Sequence, residues 1–123
     1  MAFIKPNRAN TILYCRRWEE TVRFYRDVLE MPILFEKGWF VEFMVAKDSY
    51  ISIADATRTT IAGSGGHGIT LSWQVDQLDV LHRRLSDKGV VVSPIKTKWG
   101  ATVFYFFDPE GHRIEIWSQR AGG

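Results

Sequence analysis

The chain states one order of elements twice. Asn10 to Cys15 has the residue types of a strand, and Trp18, Val22, Tyr25 and Leu29 then recur at helical spacing. Strands are expected at about Ile33–Glu36, Trp39–Val45 and Tyr50–Ala54, with turns at Lys37-Gly38 and Ala46-Lys47-Asp48. The second half repeats this order. Ile69–Val75 is a strand. Asp76 is placed to cap a helix carrying Leu78, Leu81 and Leu85, with Asp79 favouring its dipole and Lys88-Gly89 closing it. Strands follow at about Val90–Val92, Ala101–Phe107 and Arg113–Ser118. The halves also match in detail. Ile51-Ser52-Ile53 falls where Ile114-Glu115-Ile116 falls, and Trp39 opens its strand much as Trp99 leads into its counterpart. Thr57 to Gly68, rich in Thr, Gly and Ser, reads as the crossover. The expected fold is α+β, one domain over residues 1–123 built from βαβββ modules at about 8–57 and 67–120. Their sheets would form one curved mixed sheet, with helices on the convex side and a concave cleft opposite.

The last hairpin carries the clearest local signals. Phe104-Tyr105-Phe106-Phe107 and Arg113-Ile114-Glu115-Ile116-Trp117 flank Asp108-Pro109-Glu110-Gly111, in which Pro pre-sets φ at the second turn position and Gly suits the return. On the second strand Ile114 and Ile116 point one way, while Arg113, Glu115 and Trp117 point the other. One face therefore meets a core, and the other sets a Glu between an Arg and a Trp.

Composition excludes several classes. The formal charge of +2 is nearly balanced and no Lys/Arg run exceeds Arg16-Arg17 or Arg83-Arg84, so a nucleic-acid footprint is not expected. The longest apolar run, Trp39 to Ala46, is broken by Glu42 and is too short to span a bilayer. Residues 1–6 lack the apolar stretch of a signal peptide, which points to the cytoplasm. The single Cys15 excludes an intramolecular disulfide, and its apolar setting reads as a small buried hydrophobe.

Three stretches, in order, resemble the vicinal oxygen chelate superfamily of glyoxalase I, extradiol dioxygenases, fosfomycin-resistance enzymes and bleomycin-resistance proteins. Phe24-Tyr25-Arg26-Asp27-Val28-Leu29 looks like the family's first helix, with Glu30-Met31 where Gly-Met is often found. Trp73-Gln74-Val75-Asp76-Gln77-Leu78-Asp79 looks like its fifth strand entering the second helix. Trp99-Gly100, Asp108-Pro109-Glu110-Gly111 and Ile114-Glu115-Ile116 look like its last hairpin. The resemblance covers residues 8–120. It implies paired βαβββ modules and a homodimer, and leaves the reaction open because the fold hosts many chemistries.

The family's enzymes usually hold a divalent metal with ligands from the first, fourth, fifth and eighth strands. Those positions fall here at Asn10, Ser52, Thr70 and Glu115. Only Glu115 is a good ligand, since neutral amide and hydroxyl oxygens bind first-row metals poorly. His112 lies on the opposite strand face from Glu115 and His82 on the helix side, so His67 in the linker is the one residue placed to rescue such a site. No metal and no other cofactor is expected.

With Glu115 facing the cleft, alternation adds Arg113 and Trp117, then Thr70, Ser72 and Gln74, Tyr50, Ser52 and Ala54, and Asn10, Ile12 and Tyr14. Tyr105 is the choice from the seventh strand, which is apolar on both faces. Trp39 and Trp99 are placed to stack on a ligand at the mouth, whereas Trp18 and Trp73 read as core. This lining suits a flat, partly polar organic ligand. The expected function is metal-independent binding or sequestration, as in the antibiotic-resistance branch of bleomycin-binding proteins. The net charge favours an anionic or neutral aromatic over a polycation. An alternative is a lyase, isomerase or dioxygenase-like enzyme using Glu115 with weak or absent metal. Against that role, Arg113 beside it favours the ionised form and makes it a poor base. A third possibility is an accessory domain with a degenerate cleft.

Overall fold

In the computed structural model, which describes residues 2–119, the chain falls into two compact units divided between Gly65 and Gly66. The first contains β1 (Ala9–Cys15), α1 (Trp18–Arg23), β2 (Ile33–Lys37), β3 (Phe40–Ala46) and β4 (Ser49–Asp55). The second contains β5 (Thr70–Gln74), α2 (Leu78–Asp87), β6 (Lys96–Lys98), β7 (Ala101–Phe107) and β8 (Arg113–Gln119). The α+β class and the repeated βαβββ order are present. Hydrogen bonding gathers the strands into two four-stranded sheets, β1-β4-β3-β2 and β5-β8-β7-β6. In each, the first and last strands of the unit pair in parallel and the other pairings are antiparallel. No helix among the described residues is long and apolar enough to cross a membrane.

In the first unit, α1 packs on β1 and β4. Its Val22 is buried, and the Trp18 indole donates to the Ile53 carbonyl at 2.8 Å, which fixes the helix to the sheet by its amphipathic face. The helix continues as a π-helical turn over Phe24–Val28, in which the Leu29 amide donates to the Phe24 carbonyl. This turn presents Tyr25, fully buried, with its ring 5.8 Å from that of Phe43. Glu30, at φ +56, ends the helix just ahead of Pro32. Leu13, Cys15, Val41, Phe43, Ile51 and Ile53 complete this core, and Cys15 is a fully buried small hydrophobe.

In the second unit, α2 buries Leu78 and Leu85 and packs on β7 and β8, which bury Phe104, Phe106, Ile114 and Ile116 on the same side. His82 lies on this helix with its ring edge-on to Phe104 at 4.8 Å and its Nε2 2.9 Å from the Ser93 carbonyl. Two local expectations fail. The helix is preceded by Gln77, not Asp76, and no side chain caps it. The strand expected at Val90–Val92 is absent, and β6 forms later, at Lys96–Lys98. The physical reason lies in the ends of that segment. The Val90 amide is spent on the Leu85 carbonyl to close α2, and Pro94 has no amide to donate. Ser93 alone meets β7, with its amide on the Tyr105 carbonyl and its hydroxyl accepting from the Tyr105 amide at 2.8 Å.

The Asp-Pro-Glu-Gly turn is held by more than Pro and Gly. The Asp108 carboxylate, fully buried, accepts from the amides of Glu110, Gly111 and His112 at 2.9–3.0 Å through one oxygen. Its other oxygen lies 2.7 Å from Nδ1 of His112, itself 1% exposed. Gly66, at φ +82, sits where any Cβ would overlap the Gly111–His112 peptide, so the chain entering the unit is fitted against this turn. Asp108→Ala strands the buried amides of Glu110 and His112, while that of Gly111 keeps the Asp108 carbonyl. Urea unfolding should show a loss of about 3 kcal/mol. A loss below about 1 kcal/mol would show that the turn does not depend on the carboxylate.

Candidate functional site

Strand alternation in the second unit produces one face opposite α2. On β8, Ile114 and Ile116 are buried on the helix side, while Arg113, Glu115 and Trp117 are partly or fully exposed on the other. The pairing register then sets the rows. Thr70, Ser72 and Gln74 of β5 stand beside Arg113, Glu115 and Trp117, and Phe107, Tyr105 and Val103 of β7 stand beside the same three. Lys98 and Lys96 of β6 pair with Ala101 and Val103 and so share this face.

The centre of the face is a hydrogen-bonded carboxylate. Ser72 donates its hydroxyl to Oε1 of Glu115 at 2.5 Å. Tyr105 stands beside the same side chain, and its pKa is raised, first by burial and then by its interaction with the Glu115 carboxylate, with Arg113 acting in the other direction. Arg113 donates from Nε to Thr70 at 3.1 Å, and its guanidinium lies 4.6 Å from the Tyr105 ring centroid. The cation expected to act on Glu115 thus also anchors Thr70 and stacks on Tyr105.

Beside this centre is a groove of about 470 Å³. Ser72, Glu115, Trp117 and Trp99, all expected at the site, line it together with Lys98, Ala101 and Val103. Trp99 is the outlier. It and Gly100 form the two-residue turn between β6 and β7, with φ +55 and +76, as a type I′ hairpin turn requires. That first position favours Asn, Asp or Gly, and a bulky residue there is strained. Trp99 is nonetheless 93% exposed, so no packing among the described residues offsets the strain.

The first unit carries the remaining expected residues. Trp39 lies in the equivalent β2–β3 turn, but the order there is Gly38-Trp39, and the indole turns onto Phe40 with ring centroids 5.6 Å apart and Lys37 5.0 Å away. Ser52, fully buried, donates to Asn10 at 3.0 Å. Tyr50 lies under the Arg8 guanidinium, 3.9 Å from its centroid, and Arg8 in turn pairs with Glu42 at 2.9 Å. Glu42 was read only as an interruption of an apolar run. The β3–β4 register puts it opposite Ser52, as Tyr105 stands opposite Glu115, so it occupies the functional face of its own sheet. Its place in the alternation Val41-Glu42-Phe43 was the available clue.

The donor set fits a divalent metal poorly. Of Asn10, Ser52, Thr70 and Glu115 only the last is anionic, Ser52 and Asn10 bond each other, and Thr70 accepts from Arg113. Among the described residues no three His, Cys, Asp or Glu side chains come together as a metal-holding group, and His67 is exposed in a turn.

Residues 9–120 match the family described as Glyoxalase-like domain. The chain belongs to that family. Solved structures with the same glyoxalase-like fold include three informative neighbours. A glyoxalase/bleomycin resistance protein/dioxygenase from Nocardioides has a TM-score of 0.79 at 20% identity, covering 99% of this chain and 89% of its own. A lactoylglutathione lyase from Agrobacterium tumefaciens has 0.76 at 19%, covering 98% and 99%. TnmS3, an antibiotic binding protein from Streptomyces sp. CB03234, has 0.78 at 18%, covering 96% and 99%. At these identities the likeness is one of fold, and that fold serves a lyase and a binding protein alike.

Two predictions follow from the geometry of this glyoxalase-like site. Trp99→Asn should raise stability in urea unfolding by about 1 kcal/mol through relief of the left-handed backbone, whereas an equal loss would mean that the indole packs in solution. Tyr105 should be slow to ionise. Its raised pKa means that the protonated form stabilises the fold below the unfolded value near 10, and that this contribution is lost as pH rises through the folded value. In a phenolate absorbance titration, Tyr105→Phe should remove a component that ionises above the ordinary tyrosine value. Removal of a component that ionises below that value would contradict the influence of Glu115.

Proposed function

We propose that this protein binds a flat aromatic molecule in the groove of its second unit without a metal. The observation that carries the proposal is Trp99: a large aromatic side chain held in a strained backbone, fully exposed, at the lip of a groove that also offers the Trp117 ring and the Glu115 carboxylate. Two aromatic faces give a planar ligand stacking area at low entropic cost, and Glu115 with Ser72 gives it orientation. The metal-independent part rests on the donor set. The antibiotic-binding neighbour supports the reading only in that the same fold is suited to such use. A homodimer, supported by the family resemblance, and a cytoplasmic location belong to the same proposal; sedimentation or light scattering should return twice the chain mass.

One observation favours a second reading. Glu115 accepts a hydrogen bond from Ser72 and stands beside Tyr105 at an open groove, an arrangement that also suits a proton-transferring lyase or isomerase. One experiment separates the two. Chelator-treated protein is unfolded thermally with and without Mn²⁺, Fe²⁺, Co²⁺, Ni²⁺ or Zn²⁺, and in parallel titrated with fused-ring aromatics while tryptophan fluorescence is read. Saturable quenching, lost in Trp99→Ala, with no metal effect is the expected result. A ligand at one hundred times its Kd stabilises by about 2.7 kcal/mol, so a selective metal-induced rise in Tm abolished by Glu115→Ala would overturn metal independence.

A further inference from the structure

The groove is electrically lopsided along its length. Lys98 lines one end and makes no hydrogen bond or ion pair among the described residues, whereas Glu115 lines the other and is already turned into an acceptor by Ser72. Lys96 stands on the same face one residue pair further along, and Arg113 is committed to Thr70 and Tyr105. We propose that the groove selects aromatic ligands bearing an anionic group at one end, seated on Lys98, and a hydrogen-bond donor at the other, seated on Glu115. This rests on the groove being the binding site.

The chemistry is directional. Lys98 offers three N–H donors and no acceptor, so an unpaired ammonium there rewards a carboxylate, sulfonate or phenolate. Glu115 as a carboxylate is acceptor-only with about four lone-pair sites, and after Ser72 and Tyr105 it retains capacity for a ligand O–H or N–H. A polycationic ligand is disfavoured, because the face sets Lys96, Lys98 and Arg113 against the single carboxylate of Glu115. The sheet also sets the span. Lys98 is two strands across and four residues along from the Glu115 row, which at about 4.8 Å between strands and about 3.4 Å per residue separates their Cα atoms by about 17 Å. The flexible side chains of Lys98 and Glu115 and a fused-ring ligand can together bridge that gap, and Trp117, opposite Val103, stands between the two ends.

The test is calorimetric titration with 2-naphthoate, 2-naphthalenemethanol and 2-naphthylmethylammonium, on the whole protein and on Lys98→Glu. Naphthoate should bind about fivefold tighter than the neutral alcohol, and the ammonium compound weakest, with the advantage shrinking as salt is raised. In Lys98→Glu the order should invert, with an unchanged thermal unfolding midpoint showing that the variant is folded. Equal binding of naphthoate and alcohol, or an unchanged order in Lys98→Glu, would overturn the anionic preference while leaving an aromatic groove. Failure of all three to bind would overturn the aromatic reading itself, and this inference with it.

Discussion

Much of the second unit depends on how Asp108 ties the turn between β7 and β8. Its buried carboxylate gathers three successive amides and the His112 ring, so the two strands leave the turn in one fixed register. In a sheet with one buried face, a slip of one residue would exchange every side chain between faces. Ile114 and Ile116 would then face outward, and Glu115 and Trp117 would be driven into the apolar contact with α2. The cost of burying an unpaired carboxylate there gives the turn a second safeguard, because the wrong register is penalised at β8 itself.

From that register the site follows by neighbour relations. β5 pairs with β8 in parallel and brings Ser72 beside Glu115; β7 brings Tyr105 to its other side; β6 brings Lys98 to the far end. The side chains on β5, β7 and β8 thus stand on strands whose opposite faces are wholly or partly buried, which gives these groups a rigid mount. Trp99 is the exception, since it stands on a two-residue turn. Its exposure and backbone strain are the observations on which the proposed ligand site rests.

The duplicated order of elements, the alternation of β8 and the last turn were legible in the sequence because each has a short-range cause: a period of two, a helical spacing, a Pro and a Gly at set positions. The missing strand at Val90–Val92 was not, because its β-branched residues suit a strand while the Leu85 carbonyl and Pro94 decide otherwise. Asp108 was read as a turn residue, and its buried partnership with His112 depends on the folded turn. Glu42 interrupts an apolar run and Lys98 falls outside the strands expected from sequence, and only pairing shows which faces they share. The contrast between Trp39 and Trp99 is subtler. Gly-Trp turns one indole onto its neighbour, while Trp-Gly leaves the other in solvent.

Everything proposed for this protein turns on whether the groove beside Glu115 receives the ligand. The most direct measurement is an amide and indole NMR titration with a fused-ring aromatic such as 2-naphthoate, reading every assigned resonance. The account predicts shifts concentrated at Ser72, Lys98, the indole groups of Trp99 and Trp117, and Glu115. Saturable shifts centred elsewhere, such as on the α2 face, with these resonances unmoved would contradict it.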